Sequence, residues 1–334
     1  MPTHNHKNKY RVLIVGSGDI GTRHLQSICT LQNIEQIEIV DPNPKGLALG
    51  KQRLSEIKNV NPNINFHWLQ SLDHAEPAGD LCIIATQADI RPKIYIEVAE
   101  RLGYKKFILE KIVAQSINDY LDILECSRTQ NTSTWVNCKT RAYPFHINAK
   151  SRINGNPFIL TVLGGNHGLG TNGVHWADLF SFYSETSKIE SAGSTIDNHI
   201  HPSKRGESIH DLSGTLHAKS NNGSQLYVSY IYDNPLYEHL TIISPTYRYV
   251  VDHIQGWGFE SSSEDGWKWH PADLSYNILI SSMTRDIVSS IFTSGTCNLP
   301  SISDCFLAHK FILDELLPHF QSILNSDSAL CPIT

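Results

Sequence analysis

Three glycines near the start of the chain are spaced as Gly-x-Gly-x-x-Gly. The segment Gly16-Ser17-Gly18-Asp19-Ile20-Gly21 follows an apolar run typical of a buried strand and precedes apolar residues at helical spacing. In such a turn the first glycine permits a tight bend, the second lets the backbone approach a pyrophosphate, and the third lets helix and strand pack closely. The helix N-terminus adds N–H groups and a partial positive charge. We expect Gly16, Gly18, Asp19, Ile20 and Gly21 to bind a dinucleotide.

An acidic residue follows the second predicted strand. Residues 34–40 form this strand, and Asp41 comes 20 residues after Gly21. A carboxylate at this point accepts the adenosine ribose hydroxyls and repels a 2′-phosphate, so NAD is favoured over NADP. Lys45 and Lys51 are close enough in sequence to leave NADP open. The alternative is a purely structural glycine turn, with Asp41 starting a loop.

The order of predicted elements indicates the fold class. Strand-like runs at residues 10–15, 34–40, 81–85, 106–109 and 134–138 alternate with helical patterns at 19–31, 90–102 and 117–128. This alternation is typical of an α/β Rossmann domain with a mostly parallel, doubly wound sheet. Further strand-like runs at 158–163, 215–219, 225–231, 240–243 and 247–252, with helical patterns at 276–293 and 303–324, favour an α+β domain with an open, largely antiparallel sheet.

Length and composition limit the other possibilities. The chain has 334 residues, of which 40% are hydrophobic and 18% charged, with a net charge of −6 and no basic stripe for nucleic acid. Its seven scattered cysteines include no Cys-x-x-Cys pair, which argues against a disulfide framework or a zinc ribbon. We predict a polar tail at residues 1–9, an NAD(P)-binding domain at 10–130, and a substrate-binding and oligomerisation domain at 131–334. With neither a signal-like segment nor a long apolar one, we expect a cytoplasmic protein that binds no membrane.

Several landmarks, in order, resemble the glucose-fructose oxidoreductase and inositol dehydrogenase family, often called Gfo/Idh/MocA. The resemblance runs over residues 10–317 and rests on the glycine turn with Arg23-His24-Leu25, Ile84-Ala85-Thr86, Glu110-Lys111, Arg141 with Pro144, Gly173-Val174-His175-Trp176-Ala177-Asp178, and Leu299-Pro300. It implies a Rossmann domain followed by an open-sheet domain. It also implies hydride transfer between nicotinamide and a hydroxyl or keto carbon of a sugar, nucleotide sugar or cyclitol, by a homodimer or homotetramer.

The same resemblance assigns residues near the nicotinamide. Family members use the lysine of a Glu-Lys-Pro motif beside the nicotinamide ribose and substrate, and this chain has Glu110-Lys111-Ile112. The lysine is kept and the proline is replaced. In relatives a turn at this point lines the nicotinamide, and in this chain that turn contains Thr86 and Gln87. Lys111 is therefore expected to be catalytic, and Thr86, Gln87, Glu110 and Lys111 to bind the cofactor.

His175 is the expected partner of Lys111 in proton transfer. Oxidising an alcohol requires a base for the hydroxyl proton, and imidazole ordinarily titrates near neutrality. The alternative is a packed core histidine. Relatives carry an aspartate four residues earlier, where this chain has Thr171; with Asn172 it is expected to orient substrate through hydroxyl and amide groups. His167 and Trp176 flank the pattern without an assigned role.

The remaining polar residues leave alternatives open. Arg141 binds a substrate carboxylate or phosphate, or else serves as a structural ion-pair partner. The stretch Asn198-His199-Ile200-His201, with His210 and Asp211 beyond it, is interpreted as a surface loop and not as a metal site, since hydride transfer needs no metal. The replacements at Thr171 and Ile112 also allow a cofactor-binding sensor without catalysis, and some relatives perform redox-assisted elimination or glycoside cleavage with NAD recycled.

Overall fold

The computed structural model describes residues 9–165, 168–203, 205–232, 234–276 and 278–334. Apart from Lys9, the predicted polar tail lies outside the described residues, and so does His167. Among the helices that are described, none combines the length and the apolar character needed to cross a membrane.

Helices and strands alternate in the first part of the chain, and strands dominate the second. The helices are α1 (Asp19–Ile28), α2 (Pro44–Ser55), α3 (Arg91–Glu100), α4 (Ile117–Thr129), α5 (Pro144–Ile153), α6 (Leu169–Ser184), α7 (Ile280–Ser294) and α8 (Phe306–Leu324). The strands are β1 (Tyr10–Val15), β2 (Ile34–Val40), β3 (Asn65–Leu69), β4 (Leu81–Ile84), β5 (Lys106–Leu109), β6 (Ser133–Val136), β7 (Ile159–Gly165), β8 (Ile189–Ser191), β9 (Thr195–Ile196), β10 (His201–Pro202), β11 (His210–Asp211), β12 (Gly214–Ser220), β13 (Gln225–Ile231), β14 (His239–Ile243), β15 (Tyr247–Asp252), β16 (Trp257–Ser262) and β17 (His270–Pro271).

The first of two compact units comprises residues 9–110, 121–137 and 278–302, as far as they are described. Its sheet is parallel throughout, with the order β3-β2-β1-β4-β5-β6. This is the doubly wound order of a Rossmann sheet, so the predicted fold class is confirmed for this unit. The strand order reverses between β1 and β4, and ligands of such sheets bind at the carboxyl ends of those strands.

Two elements of this unit were absent from the sequence interpretation. The prolines after β2 end that strand as expected, but Pro44 also occupies the first turn of α2, a position that suits proline. Helix α2 buries little apolar surface, and β3 is a half-buried edge strand, so neither has a strong hydrophobic period.

Helix α7 packs on α1 within this unit although it comes late in the chain. The ring of Phe292 stacks on that of Tyr10 with 3.9 Å between centroids. The Tyr10 hydroxyl donates to the carbonyl of Phe292 at 3.2 Å. Stacking and hydrogen bonding together tie α7 to the first strand of the sheet.

The second unit comprises residues 111–120, 138–276 and 303–334, again as far as they are described. Its main sheet has the order β17-β16-β15-β14-β7-β13-β12-β8, and β9 also pairs with β12. The pairs are antiparallel except β7 with β13, which confirms the predicted largely antiparallel sheet. Helix α6 packs on β13 and on α8, and this contact builds the core of the unit.

Candidate functional site

The glycine turn connects β1 to α1 and leaves room at one of its three glycines. Gly16 has a φ of +96°, and a Cβ there would lie 2.9 Å from the backbone of Ala85. A Cβ on Gly21 would lie 1.8 Å from the carbonyl oxygen of Gly16. A Cβ on Gly18 would meet no described atom within 4 Å. Gly16 and Gly21 are thus required by the fold, whereas Gly18 faces open space.

The start of α1 is exposed and carries no side-chain cap. The carboxylate of Asp19 pairs with Arg53 at 2.7 Å, and Ile20 is half-exposed. Arg53 also donates to the hydroxyl of Thr22 at 2.5 Å. The side chains of Asp19, Thr22 and Arg53 therefore bond to one another, and among the described residues no N-cap side chain bonds the backbone N–H groups of the helix start.

Asp41 links the ends of the first two strands. Its Oδ2 accepts from the backbone N–H of Ser17 at 2.7 Å, and its Oδ1 accepts from that of Asn43 at 2.8 Å. The residue is half-exposed, so the carboxylate still reaches solvent. Asp41 thus lies beside the glycine turn, at the place a ribose-binding acid occupies in Rossmann domains.

Thr86 and Gln87 follow β4 on the other side of the same turn. A Cβ on Gly16 would lie 2.9 Å from the backbone nitrogen of Thr86, which measures how closely the two segments approach. The Thr86 hydroxyl is buried with no hydrogen-bond partner among the described residues, while Gln87 is exposed. The guanidinium of the buried Arg91 donates to the carbonyl of Thr86. Sequence reasoning did not identify this structural role of Arg91.

Glu110 lies at the centre of a buried network. Its Oε1 is 2.9 Å from Nε2 of His24 and accepts from Nδ2 of Asn137 at 2.5 Å. The other ring nitrogen of His24 lies 2.8 Å from the hydroxyl of Thr284. The sequence pattern places His24 on the first helix and in a family landmark but assigns it no role, and it does not point to Asn137. The network fixes the chain immediately before Lys111.

Lys111 begins the second unit and is buried beside α6. Its Nζ donates to the carbonyl of Thr171 at 2.6 Å. The peptide bond between Lys111 and Ile112 is cis, at the place where relatives were expected to have proline. Ile112 is completely buried. The structure therefore brings two of the predicted site residues, Lys111 and Thr171, into direct contact.

His175 lies one turn after Thr171 on α6 and is half-exposed. Residues four apart share a helix face, so the side chains of Thr171 and His175 lie on the same side of α6. The Tyr230 hydroxyl accepts from Nε1 of Trp176 at 2.6 Å. Burial holds the pKa of Tyr230 well above its usual range, although the side chain of Asn172 acts to lower that pKa, so the tyrosine stays neutral.

The structure corrects part of the interpretation of the 198–201 stretch, with His210 and Asp211 beyond it, as a surface loop. Asp197 to His199 are exposed, but His201 and Asp211 are only 5% and 7% exposed. They are buried because β10 and β11 pair with each other and Asp211 reaches the start of α6. The hydroxyl of Thr171 donates to Asp211 Oδ2 at 2.5 Å. Sequence reasoning therefore missed a carboxylate at the site, since its partner is 40 residues away.

Arg141 forms an ion pair with a buried acid. Its Nη1 lies 3.1 Å from Oδ1 of Asp178, and its guanidinium stacks over the ring of Phe182. Burial raises the pKa of Asp178 to about 6, although Arg141 acts in the opposite direction. Of the two roles left open for Arg141, the observed contact is the ion pair. The arginine also lines a cavity of about 340 Å³ with Lys150 and Phe182.

The same acid belongs to a cluster of atoms of the kind that bind metals. Cys138, Asp178 and Cys305 are buried with their ligand-type atoms within 4.8 Å of one another, and the two sulfurs are 3.3 Å apart. Burial raises the pKa of both thiols, that of Cys305 well above its usual range. Without a metal, both thiols are therefore protonated at neutral pH, and a metal would have to displace their protons in order to bind.

Comparison with known proteins identifies the fold. No family model matches the sequence, and no curated protein matches it. Levoglucosan dehydrogenase in complex with NADH is 14% identical, with 94% of this chain and 98% of that chain covered and a TM-score of 0.74. An oxidoreductase from Agrobacterium radiobacter in complex with NAD+, L-tartaric acid and magnesium is 15% identical, with 91% and 94% covered and a TM-score of 0.71.

A third solved structure agrees with these two. The WlbA dehydrogenase from Bordetella pertussis, in complex with NADH and UDP-GlcNAcA, is 17% identical, with 95% of this chain and 96% of that chain covered and a TM-score of 0.67. Likeness at such low identity demonstrates a shared fold. The chain has the fold of these oxidoreductases, as the Gfo/Idh/MocA resemblance implied.

Proposed function

We propose that this chain is an NAD-dependent dehydrogenase that transfers hydride between nicotinamide and a hydroxyl-bearing carbon of a sugar, nucleotide sugar or cyclitol. The observation that carries the proposal is the 2.6 Å bond from Lys111 Nζ to the Thr171 carbonyl, one helical turn before His175. Two groups able to transfer protons are thereby held at the start of one helix. Neighbours of the same fold that bind NADH, or NADH with a nucleotide sugar, support this assignment.

The residues of the glycine turn fit the cofactor. Gly18 faces open space, and the uncapped start of α1 offers N–H groups to a pyrophosphate. Asp41 supplies the negative charge that accepts ribose hydroxyls and repels a 2′-phosphate, which favours NAD over NADP. The ammonium of Lys51 lies over the ring of Trp68, 5.6 Å from its centroid, which gives this lysine a protein partner. When bound, NAD supplies the hydride acceptor.

Lys111 and His175 perform the proton chemistry in this proposal. Alcohol oxidation needs a group that removes the hydroxyl proton, and carbonyl reduction needs the same group to return it. Lys111 also stabilises developing alkoxide charge through its ammonium group. Asn172 offers an amide group to the substrate, whereas the hydroxyl of Thr171 is engaged by Asp211.

The decisive experiment measures cofactor binding and turnover separately. NADH and NADPH binding is followed by the fluorescence of the reduced nicotinamide. Turnover is followed by its absorbance over a panel of free sugars, glycosides, cyclitols and UDP-sugars with NAD or NADP. We expect tighter binding of NADH than of NADPH and reduction of NAD by at least one substrate class. Cofactor binding without turnover on the whole panel would contradict the dehydrogenase assignment.

We also propose that the outer face of the second sheet joins two copies of the chain. Along β7, the buried Leu160 and Val162 alternate with the exposed Ile159 and Leu163. Ile243 pairs with Ile159 across the neighbouring strand and is also exposed, so apolar side chains gather on one face. Light scattering after gel filtration is expected to give the mass of a homodimer or homotetramer, which Leu163→Lys should reduce. A monomeric wild-type protein would contradict this.

A further inference from the structure

The first turn of α6 holds a carboxylate that comes from outside the helix. Oδ1 of Asp211 accepts from the backbone N–H groups of Gly170 at 2.7 Å and Leu212 at 2.9 Å. Oδ2 accepts from Thr171 twice, from its backbone N–H at 3.1 Å and from its hydroxyl at 2.5 Å. These donors fill the roughly four lone-pair positions of an ionised carboxylate. Asp211 is therefore saturated by the protein's own donors and is not placed to accept a substrate proton.

The glycines at the start of α6 make room for this carboxylate. A Cβ on Gly168 would lie 2.0 Å from Cγ of Asp211, and a Cβ on Gly170 would lie 3.0 Å from its Oδ1. Gly168 is the N-cap residue and has no side chain with which to cap the helix. Asp211 thus takes over the role that an N-cap side chain performs in other helices. The glycine-rich sequence and the distant aspartate form one structural unit.

Thr171 connects this carboxylate to the amine of Lys111. Its N–H and hydroxyl donate to Asp211, while its carbonyl accepts from Lys111 Nζ at 2.6 Å. His175 lies one turn further along the same face of α6. The carboxylate, the helix turn and the ammonium group therefore form one hydrogen-bonded chain within the second unit.

We propose that Asp211 is a positioning residue for the reaction, a role that rests on the dehydrogenase function proposed above. It fixes the first turn of α6, and that turn fixes the direction in which Lys111 presents its amine. Negative charge at a helix N-terminus also stabilises the turn electrostatically. Displacing a reacting group by about 1 Å costs roughly 10²-fold in rate. Loss of Asp211 should therefore lower turnover without touching the cofactor site of the first unit.

The test replaces Asp211 with asparagine, which keeps the size of the side chain and one acceptor oxygen. We expect kcat to fall about 10- to 100-fold and its pH profile to shift, with an unchanged Kd for NADH. Acetylation of Lys111 by sulfo-N-hydroxysuccinimidyl acetate, followed by peptide mass spectrometry, should become several-fold faster. The matched control is Asp197→Asn, because Asp197 lies in the same segment and accepts a 2.6 Å bond from Ser213. It should leave kcat and labelling unchanged.

The outcomes separate this proposal from the proposed function. An unchanged kcat, or a lower kcat with unchanged labelling of Lys111, would overturn the positioning role. If the wild-type protein oxidises no substrate, the dehydrogenase assignment fails, and labelling still decides whether Asp211 controls Lys111. Thr171→Val replaces Asp211→Asn if the latter does not fold. Thr171→Val removes only the hydroxyl bond to Asp211. It should therefore lower kcat and speed up the acetylation of Lys111, each by less than Asp211→Asn does.

Discussion

Two helices of this molecule, α1 and α6, begin in similar ways but differ in what lies against their first turn. Both α1 and α6 have an extended glycine as N-cap, Gly18 and Gly168, and in both the glycine carries no capping side chain. A Cβ on Gly18 would meet no atom of the described residues within 4 Å, whereas a Cβ on Gly168 would lie 2.0 Å from Cγ of Asp211. The first helix start is exposed. The second is filled by a carboxylate of the same chain.

The difference indicates what each helix start does. A helix N-terminus attracts anions, whether they come from a ligand or from the protein. Where the position is open, as at α1, a bound pyrophosphate can supply the negative charge. Where the protein supplies it, as at α6, the helix becomes a rigid support, and its Thr171 carbonyl holds the ammonium of Lys111. The first arrangement suits binding and the second suits positioning.

The largest effect should come from removing the amine that α6 supports. Lys111→Ala is expected to lower kcat by roughly 10³-fold, since general acid–base groups contribute typically 10²–10⁴-fold. NADH binding should persist. The matched control is Lys105→Ala, because Lys105 also donates its ammonium to a backbone carbonyl, that of Gln130 at 2.8 Å. Near-normal turnover by the Lys111 variant in steady-state assays would remove the lysine from the chemistry.

The next largest effect should come from glycine substitutions at the open start of α1. In Gly21→Ala the new Cβ would lie 1.8 Å from the Gly16 carbonyl, so the turn must move. We expect a loss of about 2 kcal/mol in the free energy of unfolding, typical of overpacking, and a large loss of NADH affinity. Gly18→Ala should lose less stability, since its new Cβ meets no described atom and alanine is only a poorer N-cap than glycine, and it should also lose affinity. Urea titrations and NADH fluorescence of both variants check this, and equal losses of stability would contradict it.

The same two helix starts also differ in how far the sequence predicts them. Gly16 to Gly21 and Asp41 lie close together in the chain, and strand, turn and helix follow one another, so local pattern reveals them. The bounds of β1, β2 and β13 were predicted to the residue, because their apolar runs are uninterrupted or regular. Helix α2, which buries only Leu47 and Gly50, was not predicted. Asp211 could not be predicted because its contact depends on where a short strand pair lies, which no local pattern encodes.

A third prediction concerns the charge buried within α6. Asp178 has a folded-state pKa of about 6, raised by burial above its ordinary value of 3.8. Between these values the folded state binds more protons than the unfolded state, so stability falls as pH rises from about 4 to 6. At about 1.4 kcal/mol per pKa unit, the total is about 3 kcal/mol. Relative to Asp178→Asn, the wild-type free energy of unfolding should fall by most of this amount in urea titrations from pH 4 to pH 7. A constant difference would exclude a raised pKa.

The smallest expected effect is on the preference for NADH over NADPH, and it should differ between the two aspartates that lie beside these helix starts. Asp41 accepts two backbone N–H bonds but remains half-exposed, whereas Asp211 is buried and its four acceptor positions are filled. Asp41→Asn removes the charge that repels a 2′-phosphate and weakens the bond to the ribose. The preference for NADH over NADPH should fall about tenfold, equivalent to roughly 1.4 kcal/mol. Asp211→Asn should leave the ratio of the two Kd values unchanged, because its carboxylate bonds only within the second unit. An equal change of this ratio in both variants would contradict the assignment of cofactor binding to the start of α1 and of positioning to the start of α6.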